Sequence, residues 1–231
     1  MANNLDLEEQ EQLDQIKHFW KQYGNLITWL LIVVLGAYAG WNGFQYWQRN
    51  QAAQAAAMFD ELDRAVKAAD AARVERAFGD MKDKFGSTAY AHQAALMVAG
   101  YQQGAGKPDA AKAALSWVAE KSPDTGYQAS ARLRLADLHM QGKSLDEALK
   151  LLDAAYPASF EPMALDRRGD VFMLQGKRAE AIEAYGKAFA KFEERVEYRR
   201  LVEVKLNALG VDPQATTGSA APAVTAASAS R

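Results

Sequence analysis

Two patterns of apolar residues divide this chain. From Gln22 to Gln48 no charge interrupts the sequence, and the run from Leu26 to Leu35 is broken only by Thr28. Gly36 to Trp41 continue it. A helix needs about 20 apolar residues to cross a hydrocarbon layer roughly 30 Å thick, and Gly24 to Gly43 meets that length. Phe19, Trp20 and Tyr23 precede the run, and Trp41, Phe44, Tyr46 and Trp47 close it. Amphipathic rings settle at the headgroup level, so the two groups read as interface belts. The pattern predicts a transmembrane helix over 22–48, behind an acidic leader over 1–21. A core helix of a soluble protein has no need of so long an uncharged run.

Beyond Gln51 the apolar positions take a helical period, and the pattern repeats. Ala136 and Gly169 lie 33 residues apart, as do Ala148 and Ala181. Gln141-Gly142-Lys143 in one stretch matches Gln175-Gly176-Lys177 in the other, with a slip of one residue. Such a period marks stacked helix pairs, and the pattern resembles the tetratricopeptide repeat. Ala99, Ala136 and Gly169 are the small residues that let a second helix cross the first closely. Ala111, Ala148 and Ala181 serve the same crossing from the second helix. Leu115, Leu152 and Tyr185 follow as core fillers. A small residue returns as Ala155 and Ala188, with Val118 in that slot of the earlier repeat. Pro123 is placed to stop a second helix. Glu193 stands where the last repeat would carry such a proline, which predicts that the chain runs on there.

The expected pairs are 51–69 with 70–85, 88–103 with 107–121, 126–141 with 145–156, and 161–175 with 178–192. A capping helix is expected over about 194–208, with Leu201, Val204 and Leu209 on the final repeat. The fold class is therefore all-α: one N-terminal transmembrane helix, then a TPR-like α-solenoid of about four helix pairs and a capping helix, over 49–210. Residues 211–231 are mostly Ala, Ser and Thr, with Gly and Pro and almost no charge. They are too poor in large apolar groups to fold and are expected to be disordered.

Ala37-Tyr38-Ala39 satisfies the small-x-small pattern of a signal-peptide cleavage site. The leader is acidic, however, and the apolar run continues to Trp47, which favours an uncleaved anchor. Lys17 and Lys21 precede the span and Arg49 follows it, a bias that places the N-terminus in the cytoplasm. Leu13, Ile16, Trp20 and Tyr23 share one helical face, so the helix is expected to begin in the membrane interface. Gly36, Ala39, Gly40 and Gly43 form a stripe of small residues on which another membrane helix can pack. Gly and Ala are also common in membrane helices for no such reason.

The alanine-rich composition, with 6 prolines, agrees with an all-α fold. With 0 cysteines, disulfides, thiol catalysis and thiolate metal sites are excluded. Acids and bases balance across the helical region, so it has no basic face for nucleic acid. The acidic leader, with Asp6, Glu8, Glu9, Glu11 and Asp14, reads first as a solvated surface. The 3 histidines, His18, His92 and His139, belong to different parts of the chain. No metal-spaced set, P-loop or nucleophile signature accompanies them, and His139 reads as a packed side chain. The sequence points to no catalytic residue, no cofactor and no small-molecule substrate.

A repeat stack offers a concave surface made mainly by its first helices. Here that surface would present Leu133, Asp137 and Met140, then Met163, Asp166, Asp170 and Met173. Methionines re-pack around varied apolar partners, and the aspartates would add a preference for basic character. The same methionines could instead be core filling.

Several segments together resemble a known family. They are Glu9-x-Glu11-Gln12-Leu13, Ile16-Lys17-His18-Phe19-Trp20, Tyr23-Gly24-Asn25, Trp117-Val118 and Ala131-Arg132-Leu133-Arg134-Leu135-Ala136. The chain resembles the YfgM family, the ancillary subunit of the bacterial Sec translocon, over about residues 8–209. The resemblance implies a bacterial inner-membrane protein with a periplasmic TPR-like domain. It also implies association with SecYEG and with PpiD, a membrane-anchored chaperone, and hand-over of emerging proteins to periplasmic folding factors. A regulatory role of the cytoplasmic leader is implied as well, and no catalytic residues. The alternative reading is a regulatory or structural tether that holds another membrane protein, or a cytoplasmic regulator through the leader.

Overall fold

The computed structural model describes residues 7–214, with side chains from Leu13 onward. Asp6, the side chains of Glu8, Glu9 and Glu11, and the tail from 215 with its expected disorder lie outside what the structure describes. All regular structure among them is helical: α1 (Leu7–Lys67), α2 (Ala71–Phe85), α3 (Ala89–Gly104), α4 (Pro108–Lys121), α5 (Thr125–Gln141), α6 (Leu145–Leu152), α7 (Glu161–Leu174), α8 (Arg178–Lys191) and α9 (Glu197–Ala208). The chain divides into two units, one up to Gln54 and one from Ala55. Helix α1 contributes to both, with no break at the boundary expected between 48 and 49.

In the first unit, α1 is long and apolar enough to cross a membrane. Nearly every side chain from Leu26 to Trp41 is exposed, Ile27 being the exception. An apolar surface of this extent needs lipid or protein around it. The two polar side chains of the run satisfy themselves on their own helix. Thr28 donates to the Gly24 carbonyl at 2.8 Å and Asn42 to the Tyr38 carbonyl at 3.0 Å. Bonds of this kind remove the cost of a lone polar group in hydrocarbon. At one end the Phe19 and Tyr23 rings lie 5.1 Å apart, and at the other Phe44 and Trp47 lie 6.2 Å apart. Gly36, Gly40 and Gly43 meet no other group where a Cβ would stand, and Ala39 is exposed.

The second unit is a stack of helices, each packed on the next in chain order from α2 to α9. In addition, α3 touches α5 and α5 touches α7. This alternate contact sets the first helices of successive pairs side by side. Asp70, Thr88 and Asp124 start α2, α3 and α5 by accepting bonds from otherwise orphaned amides. The first core joins Ala55, Leu62 and Ala65 of α1 to Val74, Phe78 and Met81 of α2, and extends through α3, α4 and α5. A second core holds Leu133, Ala136, Ala148, Leu152, Ala164 and Val171, and a third holds Tyr185, Phe189, Val202 and Leu206.

The small residues stand where the period predicts. Ala99, Ala111, Ala136, Ala148 and Ala181 are all buried. Gly169 is the tightest case, because a Cβ there would overlap the Tyr185 ring. The one-residue slip between repeats is also explained. The residue that closes the helical turn with positive φ is Gly106 after α3, Gly176 after α7, but Lys143 after α5. All three positions donate to the carbonyl three residues back, and the next residue reaches five back.

Four expectations are corrected. Helix α6 ends at Leu152, not 156, and leaves Ala155 exposed outside it. Pro157 disfavours a helical Tyr156, and the Tyr156 ring packs on the second core instead. The chain does not run on at Glu193: α8 ends at Lys191, and Phe192 turns extended to pack on the third core. Helix α9 buries Val202 and Leu206, while Leu201 and Val204 stand exposed. The ordered chain also extends past 210, since Val211 packs on the third core.

His92 is buried beside the first core, 1% exposed, its ring stacked on Trp117 at 5.2 Å and tilted against Tyr127 at 6.1 Å. Burial lowers its pKa from 6.5, and the charge of Asp124 only partly opposes this. A histidine depressed in the folded state is protonated more readily in the unfolded one. Its contribution to stability is therefore whole above the ordinary imidazole value and is lost as pH falls below it.

Two outcomes are expected. Gly169→Ala lowers stability by about 1–3 kcal/mol in chemical denaturation, through overpacking against Tyr185. Thermal melting of the full chain falls as pH drops below about 6.5, and His92→Phe flattens that slope while keeping the stacked ring.

Candidate partner-binding groove

The alternate contact of α5 with α7 brings corresponding residues of two repeats together. Asp137, Met140 and Gln141 of α5 face Asp170, Met173 and Leu174 of α7 across a cleft of about 680 Å³. Each of these three pairs is separated by 33 residues, so the cleft is the repeat period written on a surface. Of the residues expected in the groove, Asp137, Met140, Asp170 and Met173 line it. Met163 is half-buried against the second core. Leu133 and Asp166 are not groove surface: Leu133 belongs to the second core and Asp166 is 0% exposed. Gln141 and Leu174 line the cleft and were missed. The signal was available, since both directly follow the aligned methionines.

Behind the cleft lies a network of charges. Lys205 of α9 reaches both oxygens of Asp166, at 2.8 and 3.0 Å, and Oδ1 of Asp170 at 2.7 Å. Tyr198 donates to Oδ2 of Asp166 at 2.8 Å, and Tyr185 to Oδ1 of Asp170 at 2.7 Å. Arg167 donates to Oδ1 of Asp137 at 2.9 Å and to the Tyr198 hydroxyl at 3.5 Å. This network explains the unexpected face of α9. Tyr198, Val202, Lys205 and Leu206 share one side of the helix, and the two polar ones must meet the aspartates of α7. Leu201 and Val204 are thereby turned outward.

Burial raises the pKa of Asp137 first; Arg167 draws it down again, and Asp170 and Asp166 add to the rise. Burial also opposes the charge of Arg167, but Asp137 outweighs it, so Arg167 is held cationic. Tyr198 is pushed up to about 12, by burial and then by Asp166. Tyr185 moves further in the same direction through burial and its bond to Asp170. Both phenols therefore stay protonated and donate.

The histidines lie apart from this region or at its margin. His18 is on α1, His92 is beside the first core, and His139 is half-buried with Nδ1 unbonded. Burial, then Lys112, lowers the pKa of His139. Among the described residues no group of His, Asp and Glu could hold a metal ion.

Comparison with known proteins gives this arrangement a family. A family model described as a tetratricopeptide repeat-like domain matches residues 17–211. The protein named ancillary SecYEG translocon subunit in Neisseria gonorrhoeae (strain ATCC 700825 / FA 1090) is 33% identical over 204 residues, covering 88% of this chain and 98% of that one. The chain belongs to the ancillary SecYEG translocon subunit family. Other relatives of that name are similar to it. The Haemophilus influenzae protein is 31% identical over 79% of this chain and 89% of its own. The Escherichia coli K12 protein is 26% identical over 88% and 97%. No solved structure matches the chain. The family is the one that the leader, span and repeat segments resemble, known also as YfgM. Its members are TPR-like protein-interaction modules and not enzymes. The apolar α1 and the naming of the relatives fit an inner-membrane protein.

In this family member the charge network should carry stability as well as shape. Lys205→Met leaves two aspartates without their cation, and a loss of about 3 kcal/mol is expected in urea unfolding. Adding Asp166→Asn should return part of that loss, because the two changes act on one interaction.

Proposed function

We propose that this chain is a membrane-anchored protein-interaction module of the SecYEG translocon. It assists the hand-over of emerging secreted or membrane proteins to periplasmic chaperones. The observation that carries the reading is likeness over nearly the full length of relatives named for that translocon, at 33% and 31% identity. In this reading the N-terminus is cytoplasmic and the helical domain periplasmic. Lys17 and Lys21 on one side of the span, against Arg49 on the other, support that orientation. A PpiD-like membrane chaperone is the proposed neighbour. The small-residue stripe of Gly36, Ala39, Gly40 and Gly43 is the proposed contact for a partner's membrane helix. Its glycines leave open space on α1 that a close-packed helix would fill.

The stripe also favours a second reading, in which the chain is a tether for another membrane protein or, through its leader, for a cytoplasmic regulator. The two readings separate on one experiment. The full chain, extracted in mild detergent, is expected to co-purify with SecYEG, and to do so equally without residues 1–16. Loss of the complex only on removing the leader would favour the tether. No SecYEG in either preparation would end the translocon reading.

A further inference from the structure

The groove carries a charge that no described residue neutralises. Three carboxylates, Asp137, Asp166 and Asp170, meet two cations, Arg167 and Lys205. Tyr185 and Tyr198 add only neutral donors. One negative charge is left over, and the bonding shows where it sits. Asp166 is wholly buried and uses both oxygens. Among the described residues, Asp137 and Asp170 each accept bonds through Oδ1 alone. Their side chains are 34% and 35% exposed, and both line the cleft. The surplus charge is therefore shared by the two part-exposed carboxylates, one on α5 and one on α7, whose Oδ2 atoms accept no bond from a described residue.

The remaining lining decides what could meet that charge. No Lys or Arg is among the six described residues that line the cleft. Met140, Met173 and Leu174 supply apolar walls, and Gln141 already accepts a bond from Gln103 at 3.1 Å. For a small inorganic cation the described lining offers only these two carboxylates and no third acidic or imidazole ligand. A Lys or Arg side chain would find both things that it needs. Its alkyl stem can lie on the methionines while its head reaches the carboxylates. An acidic side chain in the same place would be repelled by the surplus charge.

We propose that the cleft between α5 and α7 binds an extended, apolar segment of another polypeptide through one basic side chain, which caps Oδ2 of Asp137 and Asp170. The proposal rests on the reading of this domain as a protein-interaction module, and it names the chemistry of the bound partner. Charge complementarity supplies the selectivity, and the thioether and leucine walls supply sequence-tolerant contact.

The test uses the full chain in detergent micelles and a labelled decapeptide of Leu, Val and Ser with one central Lys. Copies of the peptide carry Gln or Glu at that position. Fluorescence anisotropy should show the Lys peptide binding about tenfold more tightly than the Gln peptide, with the Glu peptide weakest. The Lys preference should shrink as salt rises from about 0.05 to 0.5 M. Asp137→Asn should reduce the preference. Leu174→Lys, at an exposed rim position outside the charge network, should abolish it without changing the melting temperature. Equal binding of the Lys and Gln peptides, or an unchanged preference in Leu174→Lys, would overturn the proposal. So would a large gain in peptide affinity on deleting residues 215–231, which would assign the cleft to the chain's own tail. SecYEG co-purification is read on the same Leu174→Lys protein. A complex that persists while no peptide binds to the unaltered chain removes the cleft proposal and leaves the translocon reading standing.

Discussion

Close crossing of helices on small residues is the constraint from which the rest of the helical domain follows. Where Ala136 meets the next helix, or where Gly169 lies under the Tyr185 ring, a larger side chain would push the pair apart. The crossing sets α3, α5 and α7 side by side. Only then do residues one repeat apart, such as Asp137 and Asp170 or Met140 and Met173, fall opposite each other. The groove is thus a consequence of packing, and its chemistry is a second layer written on the repeat.

That second layer is polar and half-buried, which is costly unless every group is answered. Lys205 answers Asp166 and part of Asp170, and Arg167 answers part of Asp137. The tyrosines complete the inner oxygens. The ends of the network are left open toward the cleft. A capping helix could have closed the stack with an apolar face alone. Instead α9 is oriented by its lysine and tyrosine, at the cost of exposing Leu201 and Val204. The element that ends the fold thereby also fixes the aspartates of the groove.

This division explains what was legible in the sequence. Local and periodic features could be read: the uncharged run of α1, the small residues at their repeat positions, Pro123 just beyond the end of α4. Asp137, Met140, Asp170 and Met173 followed from the period as well. Features that depend on distant partners could not be read this way. Lys205 and Asp166 are 39 residues apart in sequence, so nothing local shows that Asp166 is buried or which way α9 faces. The early end of α6 and the break at Phe192 turn on single rings, Tyr156 and Phe192, that prefer the core to a continued helix. Leu133 falls on the surface by repeat position, but burial in the second core claims it.

The central claim is that an inner-membrane TPR-like domain receives polypeptide in the α5–α7 cleft. Photocrosslinking in living cells tests it most directly, with a photoreactive residue at Met173 inside the cleft and a control at Val204 on the outward face of α9. The account predicts adducts between Met173 and chains in transit through the translocon, and far fewer from Val204. Equal capture at both positions, or none at Met173 while the protein remains folded and membrane-bound, would contradict it.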